Sequence, residues 1–323
     1  LALALRRSKI KNSKSKMLDK LLQPRFPSSA VGIKTGTASV VQLERSRGSF
    51  LVKRAATISL PDNVVRSSFE ESNVLDPNGL ATALTDLATS AGLLRQKKWS
   101  VTLPEASART TIVTLETSGG SRREIEEVIE WKTERAFGLP LDQLRIGREE
   151  LPASEQKRAR FLITAVRADV LAEYESVFAA MGWHTGLMLP RHVGEAQWLA
   201  HGPDGDGLLL SAHEAGFTAV LLRNNRPITL RTVLCDTEEC DDELHRLLLF
   251  YRDRSGSNGN APTVSRLLVM GDLLDKKRVT EIAQETLGVN LKPLSANDVG
   301  LTVPADLPFD LIAAPAGLAR LAW

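Results

Sequence analysis

Thr35-Gly36-Thr37 lies between two apolar runs, Val31-Gly32-Ile33 and Ala38-Ser39-Val40-Val41. A glycine flanked by hydroxyls at a strand end brings backbone amides and Oγ atoms together, which is what a bound phosphate requires. An ordinary tight hairpin needs the same residues, so the stretch alone leaves both readings open. Three further residues have side chains fit for acid–base or metal work: His213, Glu214 and His245. They fall on separate elements without ligand spacing and read as surface or internally satisfied groups rather than a catalytic set. Cys235 and Cys240 are the only 2 cysteines of the chain. Alone they form neither a disulfide framework nor a zinc set, and they read as reduced and structural.

These groups need elements to hold them. At 323 residues the chain is long enough for two lobes, and 43% hydrophobic with 25% charged residues is a globular composition. A net charge of +2 gives no reason to expect nucleic acid. The basic excess is local: Arg6, Arg7, Lys9, Lys11, Lys14, Lys16, Lys20 and Arg25 face only Asp19. That segment reads as a solvated tail or as a contact with an anionic membrane surface. Met17-Leu18-Asp19-Lys20 resembles a natural start, so the residues before it read as an over-extended gene start or a flexible leader. No apolar run reaches the ~18 to 20 residues of a membrane span, and the expected location is cytoplasmic.

Phe50 to Leu60 continues the first hairpin into a three-strand meander ended by Pro61. Leu80, Leu84, Leu87, Ala91 and Leu94 recur at helical spacing, and strands are expected at Trp99–Leu103 and Thr110–Leu115. Ser121-Arg122-Arg123-Glu124 is a capping box, and Gly138-Leu139-Pro140 closes the helix it opens. Trp131 on that helix is expected in the core, with Arg122, Arg123, Arg135 and Arg148 on a solvated face. Leu144–Ile146 and Arg160–Val166 read as strands, and Asp169–Met181 reads as a helix capped by Gly182. The unit from Ser121 to Gly182 reads as a small α+β insertion. After a short helix at Arg191–Ala200 the hairpin meander recurs at Leu208–Ser211, Phe217–Arg223 and Ile228–Leu234. Helices are expected at Asp241–Tyr251, Asp275–Leu287 and Ile312–Leu321, and a buried strand at Leu267–Met270 ends at Gly271.

A hairpin with a Gly/Thr tip that recurs in a second lobe, followed by strand, glycine and helix, resembles the actin-like ATPase superfamily. Within it the chain most resembles the type IV pilus assembly PilM family. The likeness rests on Val31-Gly32-Ile33 with Thr35 to Val40, on Ser121 to Leu141, on Ala165 to Trp183, and on Glu243-Leu244-His245-Arg246 with Phe250-Tyr251. It implies an α/β, two-lobed actin-like (ribonuclease H-like) fold with an inserted small α+β subdomain. The implied division is 1–28 a flexible basic leader, 29–120 the first lobe, 121–188 the insertion, and 189–323 the second lobe. That second lobe has a shortened outer subdomain and a C-terminal helix returning to the first.

The resemblance implies nucleotide loops at Lys34, Thr35, Gly36, Thr37 and Gly271, with no metal ligand and no catalytic residue assigned. The implied cofactor is none, or residual ATP with magnesium. Lys34 stands where the family has a metal-serving carboxylate, Ser211 and His213 where it has Asp and Gly, and Asp272 where it has a second glycine. A lysine cannot ligate magnesium, so a pseudo-ATPase is expected. The implied partner is the N-terminal segment of a PilN-like inner-membrane protein, held between the first lobe and the insertion. Other pilus assembly proteins and a second copy are further candidate partners, and the expected place is the inner face of the cytoplasmic membrane. The alternatives are a working ATPase or kinase, or the cytoplasmic part of a type II secretion protein.

Overall fold

The computed structural model describes residues 26–116, 121–153, 158–200, 205–256 and 264–323. The chain opens with a meander of β1 (Ser29–Lys34), β2 (Thr37–Ser46) and β3 (Ser49–Ser59), followed by α1 (Pro77–Ser90) and β4 (Lys98–Leu103). Next come β5 (Ala108–Thr114), α2 (Arg122–Phe137), β6 (Leu144–Leu151), β7 (Arg160–Arg167), α3 (Ala168–Ala180), β8 (His184–Pro190) and α4 (Arg191–Ala196). A second meander, β9 (Asp206–His213), β10 (Gly216–Arg223) and β11 (Arg226–Leu234), precedes α5 (Cys240–Gly256) and β12 (Val264–Met270). The chain closes with α6 (Lys276–Leu287), β13 (Leu301–Thr302) and α7 (Phe309–Ala319). The expected residues 1–25 of the basic leader, and parts of the turns at 201–204 and 257–263, lie outside the described residues.

The strands form a six-stranded sheet ordered β13-β3-β2-β1-β4-β8, a four-stranded sheet ordered β11-β10-β9-β12 and a three-stranded sheet ordered β5-β7-β6. Alternation along the strands assigns the faces. On one face of the large sheet Val31, Ile33, Val40, Trp99 and Val101 pack on Leu80, Leu84 and Leu87 of α1 and Tyr174, Val177 and Phe178 of α3. The opposite face, through Ala30, Val41 and Val52, meets α4, α7 and the inner side chains Leu209, Val220, Leu268 and Met270 of the four-stranded sheet. The outer face of that second sheet carries Leu208, Leu210, Phe217 and Ala219 against Leu244 and Leu248 of α5 and Ile282 and Ala283 of α6. The result is helices, sheet, helices, sheet, helices, with α4 and α7 sandwiched between the two lobes.

Local chemistry explains the element ends. Asp76 caps α1, accepting from the amide of Gly79 at 2.9 Å, and Pro77 sits at the first helical position where no amide is needed. Ser121 and Glu124 form the reciprocal capping box of α2, which stops at left-handed Gly138. In the first hairpin Lys34 pairs with Thr37, so that Thr35-Gly36 is the two-residue turn and Thr37 already belongs to β2.

Two expectations are corrected. The inserted unit does not begin at Ser121 or extend to 188: β5 pairs antiparallel with β7 over Ala108–Thr114, and α3 and β8 belong with the first lobe. The three-stranded sheet with α2 therefore runs from β5 to β7, sharing a core of Val113, Ile129, Phe137, Leu144 and Ile163 with Phe69. Periodicity shows that Thr110–Leu115 is a strand but not which sheet it joins, because the partner lies far along the chain. Trp131 is 55% exposed rather than core, with the Arg135 guanidinium 5.5 Å from its ring. The stripe of α2 that turns inward is Ile129, Thr133 and Phe137, and a residue two positions off that stripe points away from it.

Candidate functional site

The two hairpin turns face each other across a cleft of about 340 Å³ between the lobes. Lys34, Thr35 and Thr37 line it from the first turn, His213, Glu214 and Ala215 from the second, and Gly271, Asp272 and Leu273 from the segment after β12. Glu105, which follows β4, and Arg191, which opens α4, also line it. The close seating of Gly271 explains the glycine: its φ is +85°, and a Cβ there would lie 2.8 Å from the carbonyl oxygen of Ala212.

A buried charge network underlies these turns. Arg191 donates to Glu195 Oε1 at 2.8 Å and to the carbonyl oxygen of Ala212 on β9 at 3.2 Å. Glu105 Oε1 lies 2.5 Å from His192 Nδ1, and its Oε2 accepts from the His192 amide at 3.1 Å. Burial by itself raises the Glu105 carboxyl, but the His192 charge and hydrogen bond outweigh it and hold the group at about 2. Burial, with the Arg191 cation adding to it, lowers the Lys34 amine to about 8 against the pull of Glu195, Asp272 and Asp310. Burial also depresses His213. Thr35 Oγ1, Ser211 Oγ, His192 Nε2, His213 Nε2 and Glu195 Oε2 are buried without a hydrogen-bond partner.

These residues do not fit a magnesium nucleotide. Lys34 brings an ammonium beside Arg191, at the position where the resemblance expects a carboxylate for the metal. Glu214 and Asp272 add carboxylates to a wall where phosphates would be repelled. Among the described residues no group of three His, Cys, Asp or Glu is placed to hold a metal ion.

Of the residues expected at nucleotide loops, Lys34, Thr35, Thr37 and Gly271 come together on this one cleft, and Gly36 supplies the positive φ of its turn. His213 and Glu214 share the cleft, while His245 sits on α5 outside its lining. Sequence reasoning missed Glu105, Arg191, His192 and Glu195. The available signal was an Arg191–Glu195 pair at i,i+4 between apolar Met188-Leu189 and Trp198-Leu199, a setting in which charges must pair.

No helix among the described residues is long and apolar enough to cross a membrane. No protein-family model matches the chain, and no curated protein matches it in sequence. Solved structures do. A chain of the PilM–PilN type IV pilus biogenesis complex superposes with a TM-score of 0.73 at 18% identity, covering 93% of this chain and 99% of that one. An actin-like-fold protein of Bacteroides thetaiotaomicron follows at a TM-score of 0.48, with 10% identity and coverage of 95% and 98%. The cytoplasmic domain of Vibrio cholerae EpsL, a type II secretion component, reaches 0.47 with 12% identity and coverage of 91% and 93%. These last two are too distant to carry an argument. At 18% identity the first likeness establishes architecture: the chain has the two-lobed actin-like fold, with a three-stranded unit inserted in its first lobe.

Proposed function

We propose that this chain is an actin-like scaffold of type IV pilus assembly, of the PilM kind, that holds the N-terminal segment of a PilN-like inner-membrane protein and does not hydrolyse ATP. The carrying observation is the superposition on a chain of the PilM–PilN complex over 93% of the present one, at a TM-score of 0.73. In this reading the protein works at the cytoplasmic face of the inner membrane, and the partner segment lies between the first lobe and the inserted sheet. There β6 is an edge strand, able to offer main-chain hydrogen bonds to an extended peptide. Lys34, Thr35, Gly36, Thr37 and Gly271 are then the remains of nucleotide loops kept for the fold. Co-expression with the PilN-like protein tests the reading: a complex that survives affinity purification and gel filtration supports it, and complete separation of the two proteins contradicts it.

One observation favours a second reading, a nucleotide-binding ATPase: four of the five loop residues named from the resemblance line a single cleft. The charges of Lys34, Glu214 and Asp272 weigh against it, since phosphoryl transfer depends on a positioned metal. A rise in melting temperature with magnesium-ATP would favour this second reading over the scaffold without nucleotide.

A further inference from the structure

The pair Cys235 and Cys240 lies outside the cleft and outside everything assigned above. Their Sγ atoms are 2.6 Å apart, inside the separation of two non-bonded sulfurs. A disulfide needs about 2.05 Å, so closure requires a movement of about half an ångström. The backbone holds this approach from both sides. The amide of Cys235 donates to the carbonyl oxygen of Ala215 at 3.1 Å, extending the pairing of β11 with β10 beyond the strand end. The amide of Cys240 donates to the carbonyl oxygen of Asp236 at 3.1 Å, so the intervening residues form a tight turn into α5. Among the described residues no group of three His, Cys, Asp or Glu that could hold a metal ion includes this pair.

We infer that Cys235 and Cys240 form a reversible disulfide site, oxidised by a low-molecular-weight disulfide such as oxidised glutathione, that pins the β9–β10 turn of the cleft to the start of α5. Both thiols are free in this structure. Cys235 is half-buried and is the entry point, and Cys240, 1% exposed, is the resolving group. The Cys235 thiolate attacks one sulfur of the small disulfide, forming a mixed disulfide and releasing one thiolate. Cys240 Sγ, giving its proton to solvent, then attacks Cys235 Sγ and expels the second small thiol. Two protein thiols are oxidised by two electrons, and one small disulfide is reduced to two thiols.

Burial, reinforced by the contact with Cys235, pushes the Cys240 thiol up to about 12, so at neutral pH it is the uncharged thiol and only its rare thiolate can attack. The same effect makes closure slow and faster in alkali. The turn between the two cysteines is short, so the bond removes little chain entropy and stays reducible, as a regulatory disulfide must. Its reach to the cleft is direct, because Ala215, the partner of the Cys235 amide, lines the cleft beside Glu214 and His213.

The test treats the full chain with oxidised glutathione, alkylates the remaining thiols and measures intact mass. The expected product has lost two hydrogens, carries neither alkyl group nor glutathione, and is restored by dithiothreitol. Cys240→Ser should instead stop at one glutathione on Cys235. Cys235→Ser provides the check if that variant does not fold, and should stay largely unmodified at Cys240. Wild type that ends as a stable glutathione adduct, or with both thiols alkylated, overturns the inference. Hydrogen exchange of residues 212–216 should slow at least about threefold on oxidation, and unchanged exchange overturns the coupling to the cleft.

Discussion

Gly194 of α4 and Gly317 of α7 lie backbone to backbone where the two helices cross: a Cβ on Gly317 would fall 1.8 Å from the carbonyl oxygen of Gly194, and one on Gly194 2.2 Å from that of Ala314. Both helices run between the lobes, and their packing is continuous with Val41 and Leu43 of one sheet and Leu209 and Val220 of the other. No flexible side chain can move aside, because the obstacle on each side is main chain. Gly317→Ala and Gly194→Ala should each cost about 2–4 kcal/mol in urea unfolding, by forcing the crossing apart. Gly138→Ala, at a left-handed helix end with nothing within 4 Å, should cost only about 1 kcal/mol.

Glu105 provides a pH test of the buried network. Its folded value of about 2 lies below its ordinary 4.5, so the stability it contributes is present above pH 4.5 and is lost as pH falls toward 2. The shift corresponds to ~3 kcal/mol. Glu105→Gln should therefore be about 2–3 kcal/mol less stable than wild type near pH 6.5, and the gap should close by about pH 2, measured by denaturant unfolding at each pH.

Lys34 gives the opposite window. Its folded value of about 8 lies below the ordinary 10.5, so between those limits the unfolded chain holds a proton that the folded chain has released. Stability from this residue rises as pH climbs from 8 to 10.5, by up to ~3 kcal/mol. Lys34→Met should be more stable than wild type at pH 7 and should remove that rise. Equal slopes for the two proteins over this range would show that burial of the amine is not what the cleft imposes.

Much of this was legible in the sequence because it depends on neighbours along the chain. The Ser121–Glu124 capping box, the stop at Gly182 and the paired meanders follow from capping and turn chemistry and from short apolar runs, such as Leu208 to Leu210, bounded by turn residues. Sheet membership was not legible. Only the register of Ala108 to Thr114 against Arg160 to Val166 tells β5 apart from a strand of the large sheet. The cleft was half legible: its loop residues sit on recognisable turns, whereas Glu105 and His192 meet over 87 positions of sequence. Nothing in either local pattern announces that this carboxylate and this imidazole meet inside the protein.

The central claim, a scaffold that grips a membrane protein's cytoplasmic tail without nucleotide, is tested most directly by calorimetric titration. The synthetic N-terminal peptide of the PilN-like protein would be titrated into the full chain, with and without magnesium-ATP. The account predicts one-to-one binding with the same affinity in both titrations. No binding in either, or binding that appears only with magnesium-ATP, would contradict it.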